Sequence, residues 1–248
     1  MALLSPVQSI LAFLTIIPAG RDSHDIFYVA RNMYLFPIAG AIIGLIIGGM
    51  ALGISQFLHP LLVGLLVAGA LVIITGVHHT DALADFADGL MAKGDKDKKH
   101  KAMMDPAVGS AGVVALVMYF AGMIIVFGTG LGSPVRIFAS IIVAEVIAKY
   151  IMVLITYRSI SAWEGFSSPF TAEMKDRRKI LAATAIMLPI VWFAGGYAGL
   201  AALAVAIGLA ALLKKVSNKS FGGISGDVLG ASNEVTRLSS LIVMSSVM

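Results

Sequence analysis

Three aspartates follow one another at helical spacing in a largely apolar stretch of the chain. Asp81, Asp85 and Asp88 stand at positions i, i+4 and i+7, so they share one face if the segment is a helix. Carboxylates stacked in this way repel one another by roughly a few tenths of a kcal/mol per pair, a cost that a divalent cation would offset. All-oxygen ligation favours Mg²⁺, Ca²⁺ or Mn²⁺ over Zn²⁺. The spacing predicts a metal site, the alternative being a polar face that lies in water or pairs with the following lysines.

A second polar cluster lies near the C-terminus and combines glycines with acids. Glycines that precede a helix N-terminus leave backbone N–H groups free and suit an anionic phosphate. Asp227 and Glu234 are seven residues apart and would share a face of the following helix. The two clusters together predict a phosphate held beside a metal. The glycines concerned are Gly222, Gly223 and Gly226.

Other polar residues admit two interpretations each. Asp105 precedes a proline, which favours an extended residue that caps the next helix, or it points into the same pocket. His78 and His79 diverge by about 100° on a helix, so at most one reaches the site and a zinc site is disfavoured. The aromatic segment 163–166 either anchors the chain at a membrane interface or lines a site for a large planar ligand.

The composition places these clusters in a membrane protein. The chain has 248 residues, of which 58% are hydrophobic and 13% are charged, and its mean hydropathy is +0.93. These values exclude a soluble globule and a disordered chain. The absence of cysteine excludes disulfides, thiolate nucleophiles and Cys-ligated metals. We expect one integral membrane catalytic domain over residues 1–248, with no cleavable signal at its start.

Apolar runs long enough to cross a bilayer predict an all-α polytopic helix bundle with about seven transmembrane helices. The segment 3–18 is apolar but short, which predicts an additional interfacial or re-entrant N-terminal helix. Gly40, Gly44 and Gly48 follow at four-residue steps and predict close packing against another helix. Glu145 and Lys149 lie within the fourth span, as a structural ion pair or as part of a polar cavity. The predicted spans are 34–55, 60–77, 110–131, 135–156, 179–194, 197–213 and a weaker one from Val228 onwards.

Basic residues alternate from one connection to the next. Lysines and arginines, beginning with Arg21 and Arg31, precede the first span and fill the connections after the second, fourth and sixth. The remaining connections, 56–59, 132–134 and 195–196, contain none. Since basic loops stay in the cytoplasm, this pattern predicts a multi-pass protein of the cell membrane with its site on the cytoplasmic face.

At four places the sequence resembles the adenosylcobinamide-GDP ribazoletransferase family, also called cobalamin-5′-phosphate synthases. Residues 79–89, HTDALADFADG, resemble its H-x-D-G-x-A-D-x-x-D-G signature. Residues 13–18 resemble its F-L-T-x-x-P, residues 105–112 its K-D-S-R-I-G-x-x-G, and residues 222–234 its G-G-x-T-G-D-x-x-G-A-x-x-E. Order and spacing agree over the whole chain. Three positions depart from the family pattern: Ala82 replaces a glycine, Ser225 replaces a threonine, and residues 106–107 replace Ser-Arg. The last departure removes an arginine, whose role Lys101 could take.

The resemblance implies a magnesium-dependent step late in cobamide assembly. A hydroxyl of α-ribazole, or of its 5′-phosphate, attacks the cobinamide phosphate of adenosylcobinamide-GDP, and GMP leaves. These substrates and the lipid bilayer are the expected partners, with no nucleic acid, and a homo-oligomer is left open. The resemblance assigns the metal to Asp81, Asp85, Asp88 and Asp227, the proton transfer to Asp88, Asp105 or Asp227, and substrate binding to His79, Lys101, Gly222, Gly223, Gly226, Asn233 and Glu234.

Two other functions fit some of these features. A CDP-alcohol phosphotransferase of lipid synthesis also joins membrane helices to clustered aspartates. Its usual D-x-x-D-G-x-x-A-R opening is absent, because the spacing here is Asp81-x3-Asp85-x2-Asp88-Gly89. A cation transporter could use the same aspartates, but transporter sites lie near the bilayer midplane, whereas these acids follow the end of a span.

Overall fold

The computed structural model of the protein describes residues 4–19, 25–129 and 131–247. Within them the chain is all-α, as predicted, with no strand beyond an isolated bridge between Ser161 and Ile224. The helices are α1 (Leu4–Leu14), α2 (Ile26–Arg31), α3 (Phe36–Ile54), α4 (Pro60–Ile74), α5 (His78–Met91), α6 (Lys96–Met103), α7 (Ser110–Thr129), α8 (Pro134–Thr156), α9 (Ser168–Glu173), α10 (Arg177–Phe221) and α11 (Gly226–Val247). Arg21 and the first residue of the segment 3–18 lie outside the described residues.

Four of the described helices are long and apolar enough to cross a membrane, and the bent pair α4–α5 makes five if it counts as one span. The four are α3 with the short turn before it, α7, α8 and α10. The C-terminal helix α11 does not qualify, since its mean hydropathy is lowered by polar residues. The seven spans expected from the sequence are therefore not confirmed by length and composition.

The 45-residue helix α10 is broken where the sequence predicted a turn. Gly196 has φ 53° and ψ −137°, which is not helical. A Cβ placed on Gly199 would lie 2.8 Å from the carbonyl oxygen of Val191. Residues eight apart in a straight helix are separated by about 12 Å, so the two halves of α10 fold back on each other.

Helix α8 is the centre of the bundle. In its apolar stretch of 18 residues, 83% of the residues are buried. The helix packs against α3, α10 and α11. A Cβ on Gly40 would lie 2.5 Å from the Glu145 carbonyl oxygen, and one on Gly44 would lie 2.7 Å from Ile142 Cα. The glycine stripe is therefore a packing surface for α8, as predicted.

The acidic helix α5 is not a straight continuation of the helix that precedes it. Helix α4 ends at Ile74, and α5 turns away from it by 92°. Gly76 and Val77 make the bend, both with positive φ, 69° and 68°. As a result α5 lies across the end of the bundle, in contact with α6, α7 and α11. The Asp88-Gly89 pair does not end the helix, which runs on to Met91 with Gly89 packed against Met103.

Candidate functional site

A cavity of about 770 Å³ opens at the end of the bundle where α5 lies. Its walls come from α5, from the start of α11, from residues 163–170, and from the ends of α1 and α8. Pockets of this size hold nucleotide-sized ligands. All of these segments adjoin the connections that carry the basic residues, so the cavity and the basic loops share one end of the molecule.

Asp81 and Asp227 bring the two acidic motifs together in this cavity. Both line its wall, although 145 positions separate them in the chain. Burial, followed by repulsion from Asp81, Asp227 and Asp88, raises the pKa of Asp85 to about 6. Burial also raises the pKa of Asp227, and Asp81 contributes. Three carboxylates from two motifs are thus close enough to repel one another.

Asp88 holds the N-terminus of α7. Its two carboxylate oxygens accept the backbone N–H groups of Gly109 at 2.7 Å and Gly112 at 2.9 Å. A Cβ on either glycine would lie 2.5 Å from an Asp88 oxygen, so a larger residue at these positions would displace the Asp88 carboxylate. The capping role expected for Asp105 therefore belongs to Asp88, because Asp105 turns back to accept the N–H of Ala107 at 2.9 Å.

The acidic cluster suits a hard cation that substrate helps to bind. In the described part of the chain, no three His, Asp or Glu side chains converge as a ready-made metal site. Mg²⁺ usually binds one or two carboxylates together with waters and substrate phosphates, without a complete protein cage. Asp81, Asp85 and Asp227 supply oxygen donors only, and in the described residues no Lys or Arg forms an ion pair with them. The donor set therefore fits Mg²⁺.

The glycines of the C-terminal motif have different surroundings. Gly226 lines the cavity. Gly222 ends α10 with φ 89°, next to the Lys96 ammonium, and Gly223 packs on the backbone of residues 160–162. Neither Gly222 nor Gly223 is part of the cavity wall, and nor are Asp85, Asp88, Lys101, Asp105, Asn233 and Glu234.

Buried charges lie beneath the cavity, in the core of the bundle. Arg237 of α11 forms ion pairs with Glu145 and Glu234 and donates to the Tyr119 hydroxyl at 3.1 Å. These side chains are almost completely buried. Of the two interpretations of Glu145 and Lys149, the ion pair between them is not formed in the described residues, where the Glu145 carboxylate pairs with Arg237. Arg237 was missed in the sequence, although a cation three residues after Glu234 in the last helix was a usable signal.

Lys149 joins the same cluster through Asn233. Its ammonium donates to Asn233 Oδ1 at 2.7 Å, and Asn233 Nδ2 donates to Glu234 Oε1 at 2.9 Å. Asn233 Nδ2 also lies 3.5 Å from His79 Nδ1, and His79 lines the cavity. We call Glu145, Lys149, Asn233, Glu234 and Arg237 the core charge cluster.

Aromatic rings form part of the cavity wall. Trp163 and Phe166 line the cavity, so this segment lies at the site. The His100 ring stacks on Trp163 with centroids 3.7 Å apart, and Phe13 stacks on Phe166 at 5.7 Å. His100 was not singled out in the sequence, where nothing shows that α6 meets residue 163. Such a wall can hold a planar ring.

Fold and site together define a class: an all-helical membrane protein whose acidic, aromatic-walled cavity lies at one end of its bundle. The model of the family described as cobalamin-5-phosphate synthase matches residues 6–245. The chain therefore belongs to that family, which acts at the final stage of cobamide assembly.

Relatives of similar length carry one name, adenosylcobinamide-GDP ribazoletransferase. The protein of Methanocella arvoryzae is 32% identical, over 99% of this chain and 97% of its own. The protein of Archaeoglobus fulgidus is 33% identical over 96% of both chains, and that of Pyrococcus abyssi is 32% identical over 96% and 97%. No solved structure matches the chain. The relatives are transferases, which does not favour the lipid-synthesis and transport alternatives.

Proposed function

We propose that this protein transfers the cobinamide-phosphate moiety of adenosylcobinamide-GDP to a ribose hydroxyl of α-ribazole or α-ribazole 5′-phosphate. The hydroxyl oxygen forms the new bond to phosphorus, the bond to the GMP oxygen breaks, and the hydroxyl proton passes to a base. The products are adenosylcobalamin, or its 5′-phosphate, and GMP. The names of the relatives support these substrates.

The observation that carries the proposal is the meeting of Asp81 and Asp227 in one cavity. Transfer of a phosphorus group requires above all that the reactants are positioned and that charge is neutralised. Asp227 is the better candidate for the base, because it lines the cavity and burial raises its pKa toward that of a proton acceptor. Asp105 is exposed and outside the cavity wall, which makes it the weaker alternative.

Magnesium dependence is part of the proposal. Asp81, Asp85 and Asp227 would hold Mg²⁺ together with the diphosphate, and the bound ion would neutralise charge on the phosphates and the leaving GMP. Burial and, after it, repulsion from the neighbouring carboxylates raise the Asp85 pKa, and a bound ion would remove the repulsion. Asp88 remains a candidate ligand, although two backbone N–H groups already occupy its oxygens.

The aromatic wall suits the planar parts of the substrates. Trp163 and Phe166 face the cavity, where a benzimidazole or guanine ring could stack, while the carboxylates on α5 and α11 lie near the phosphates. A cavity of about 770 Å³ has room for a nucleotide and a nucleoside, so the bulkier corrinoid ring would remain at its mouth.

We place the cavity on the cytoplasmic face of the membrane. The cavity lies at the end of the bundle that carries the basic connections, which stay in the cytoplasm. Counting α4, both halves of α10 and α11 as spans gives seven crossings together with α3, α7 and α8, which agrees with the alternation of basic residues. Exposed apolar side chains such as Phe57, Phe193 and Tyr197 would then face lipid or its interface.

The test is GMP release by the purified protein in liposomes. Adenosylcobinamide-GDP and α-ribazole are supplied with Mg²⁺ or with EDTA, and corrinoid products are followed by chromatography. We expect one GMP per cobalamin product, only in the presence of Mg²⁺ and of α-ribazole. GMP release without a joined product would contradict the transferase, and full activity in EDTA would contradict the metal. Turnover of a CDP-alcohol instead would favour the lipid-synthesis alternative.

A further inference from the structure

The core charge cluster contains its own counterions. Lys149 and Arg237 supply two positive charges, and Glu145 and Glu234 supply two negative ones. Buried ionic groups are costly, and a hydrophobic replacement is often at least as stable. A cluster of this kind therefore contributes little to stability that apolar packing could not. Its contact with His79 in the cavity wall suggests a role in the reaction.

Asn233 has one possible orientation in this cluster. Its Oδ1 receives the Lys149 ammonium at 2.7 Å, so its amide nitrogen faces the other way. One hydrogen of that nitrogen reaches Glu234 Oε1 at 2.9 Å. If the oxygen and nitrogen of the Asn233 amide were exchanged, the NH₂ group would face the Lys149 ammonium and the oxygen would face the Glu234 carboxylate. The charges on either side thus determine which amide atom faces His79.

The second amide hydrogen of Asn233 faces His79. Asn233 Nδ2 lies 3.5 Å from His79 Nδ1, a long contact, and Glu234 Oε1 lies farther away at 3.9 Å. Because the group facing Nδ1 is a donor, Nδ1 carries the lone pair. A neutral imidazole with an accepting Nδ1 has its hydrogen on Nε2. That nitrogen is on the part of the ring left for the cavity, which His79 lines with 10% of its side chain exposed.

We propose that Lys149 is a positioning residue, which acts through Asn233 to hold His79 as an Nε2–H donor toward a phosphoryl oxygen of the bound diphosphate. This inference rests on the proposed function for the identity of the ligand. Asp81, two residues from His79, and Asp227 surround the same space with carboxylates. A fixed N–H group among these acids stabilises negative charge on the phosphorus centre without having to reorient during the reaction.

The tautomer is measured directly by nitrogen NMR. Protein labelled with ¹⁵N-histidine is reconstituted in nanodiscs, and the His79 signals are assigned by their loss in His79→Gln. We expect an unprotonated Nδ1 and a protonated Nε2 in the wild type. In Asn233→Asp the facing group becomes an acceptor, and Nδ1 gains a hydrogen. A wild-type Nδ1 that already carries hydrogen overturns the proposal, whatever the activity of the protein.

Kinetics then test the role of Lys149. Lys149→Met removes the ammonium from Asn233, and we expect kcat to fall about tenfold, as for other residues that orient a catalytic group, while KM changes less than about threefold. The His79 nitrogens should then show a mixture of tautomers. Lys214→Met is the matched control, since Lys214 donates only to the Tyr157 carbonyl at 2.8 Å. Unchanged kcat and unchanged tautomer in Lys149→Met overturn the positioning role. If the wild type releases no GMP, the proposed function fails while the tautomer is still decided.

Discussion

Asp85 is a carboxylate that the fold destabilises. Burial and three neighbouring carboxylates raise its pKa to about 6, compared with an ordinary value of 3.8. The folded protein therefore binds this proton more tightly than the unfolded chain. The contribution of Asp85 to stability falls as the pH rises from about 4 to about 6, and the deficit remains at neutral pH.

Asp85→Asn should consequently separate stability from activity. Without Mg²⁺ at pH 7.5 we expect a higher Tm than in the wild type, and the difference should vanish below pH 4, where both side chains are neutral. GMP release should fall by about 100-fold or more, since the lost charge belongs to the group that neutralises the reacting phosphates. Thermal unfolding in detergent and the GMP assay measure both. Asp97→Asn, on the exposed side of α6, is the control, and an active Asp85→Asn would contradict the role.

Asp88 has two candidate roles, as the cap of α7 and as a metal ligand, which one variant can distinguish. If it is only the cap of α7, Asp88→Asn loses one of two acceptors for the Gly109 and Gly112 N–H groups. The expected cost is about 1 kcal/mol of stability, with an unchanged Mg²⁺ requirement. If Asp88 is also a metal ligand, the Mg²⁺ concentration for half-maximal GMP release should rise severalfold. A Mg²⁺ titration of the variant beside Asp227→Asn decides between the two roles.

At the scale of helices, the glycines of α3 differ in whether another helix packs against them. A Cβ on Gly44 would lie 2.7 Å from Ile142 Cα, whereas one on Gly49 meets nothing within 4 Å. Gly44→Ala should therefore separate α3 from α8 and destabilise the protein by about 1–3 kcal/mol. Gly49→Ala should leave it unchanged or stabilise it by up to about 1 kcal/mol, because alanine favours helix. Thermal denaturation of both variants in one detergent measures the contrast. Equal Tm values would argue against close packing of α3 and α8.

Apolar runs in the sequence predicted the long helices but not how they meet. The glycine stripe and the break at Gly196 were visible because small residues and turns have local signatures. The 92° bend before α5 was missed, since Val77 adopts a positive φ, 68°, that no β-branched residue favours by itself. Tertiary contacts of α5 with α7 and α11 hold that bend. For the same reason spacing alone could not show that the Asp88 carboxylate contacts the N-terminus of α7.

At the scale of the whole molecule, the site combines two motifs that are far apart in the sequence. The acidic motif on α5 and the motif at the start of α11 meet because the two helices pack against each other and both contact α7. The sequence predicted that both motifs lie on the same side of the membrane, since one follows the second predicted span and the other follows the sixth. It could not predict that Arg237 pairs with Glu145 or that Lys149 contacts Asn233, because long-range pairs leave no periodic trace in one sequence.

The topology of the chain is the last prediction, and the absence of cysteine makes it simple to test. Single cysteines at Lys98, Lys175 and Lys219, all exposed and in basic connections, should react with a membrane-impermeant maleimide only after the cells are opened. Cysteines at Gln56, in a connection without basic residues, and at Tyr197, directly after another such connection, are also exposed and should react in intact cells. The reason is that translocation retains lysine- and arginine-rich loops in the cytoplasm.

Each labelling site also tests the position of the cavity. Lys98 lies in α6, which carries His100 to its stack on Trp163 in the cavity wall. Labelling of Lys98→Cys in intact cells would place the cavity outside, away from cytoplasmic nucleotides. Labelling of Tyr197→Cys only in opened cells would mean that the halves of α10 do not both cross. The seven-span arrangement requires all five sites to react as stated, because a single missing crossing exchanges the sides of every later connection.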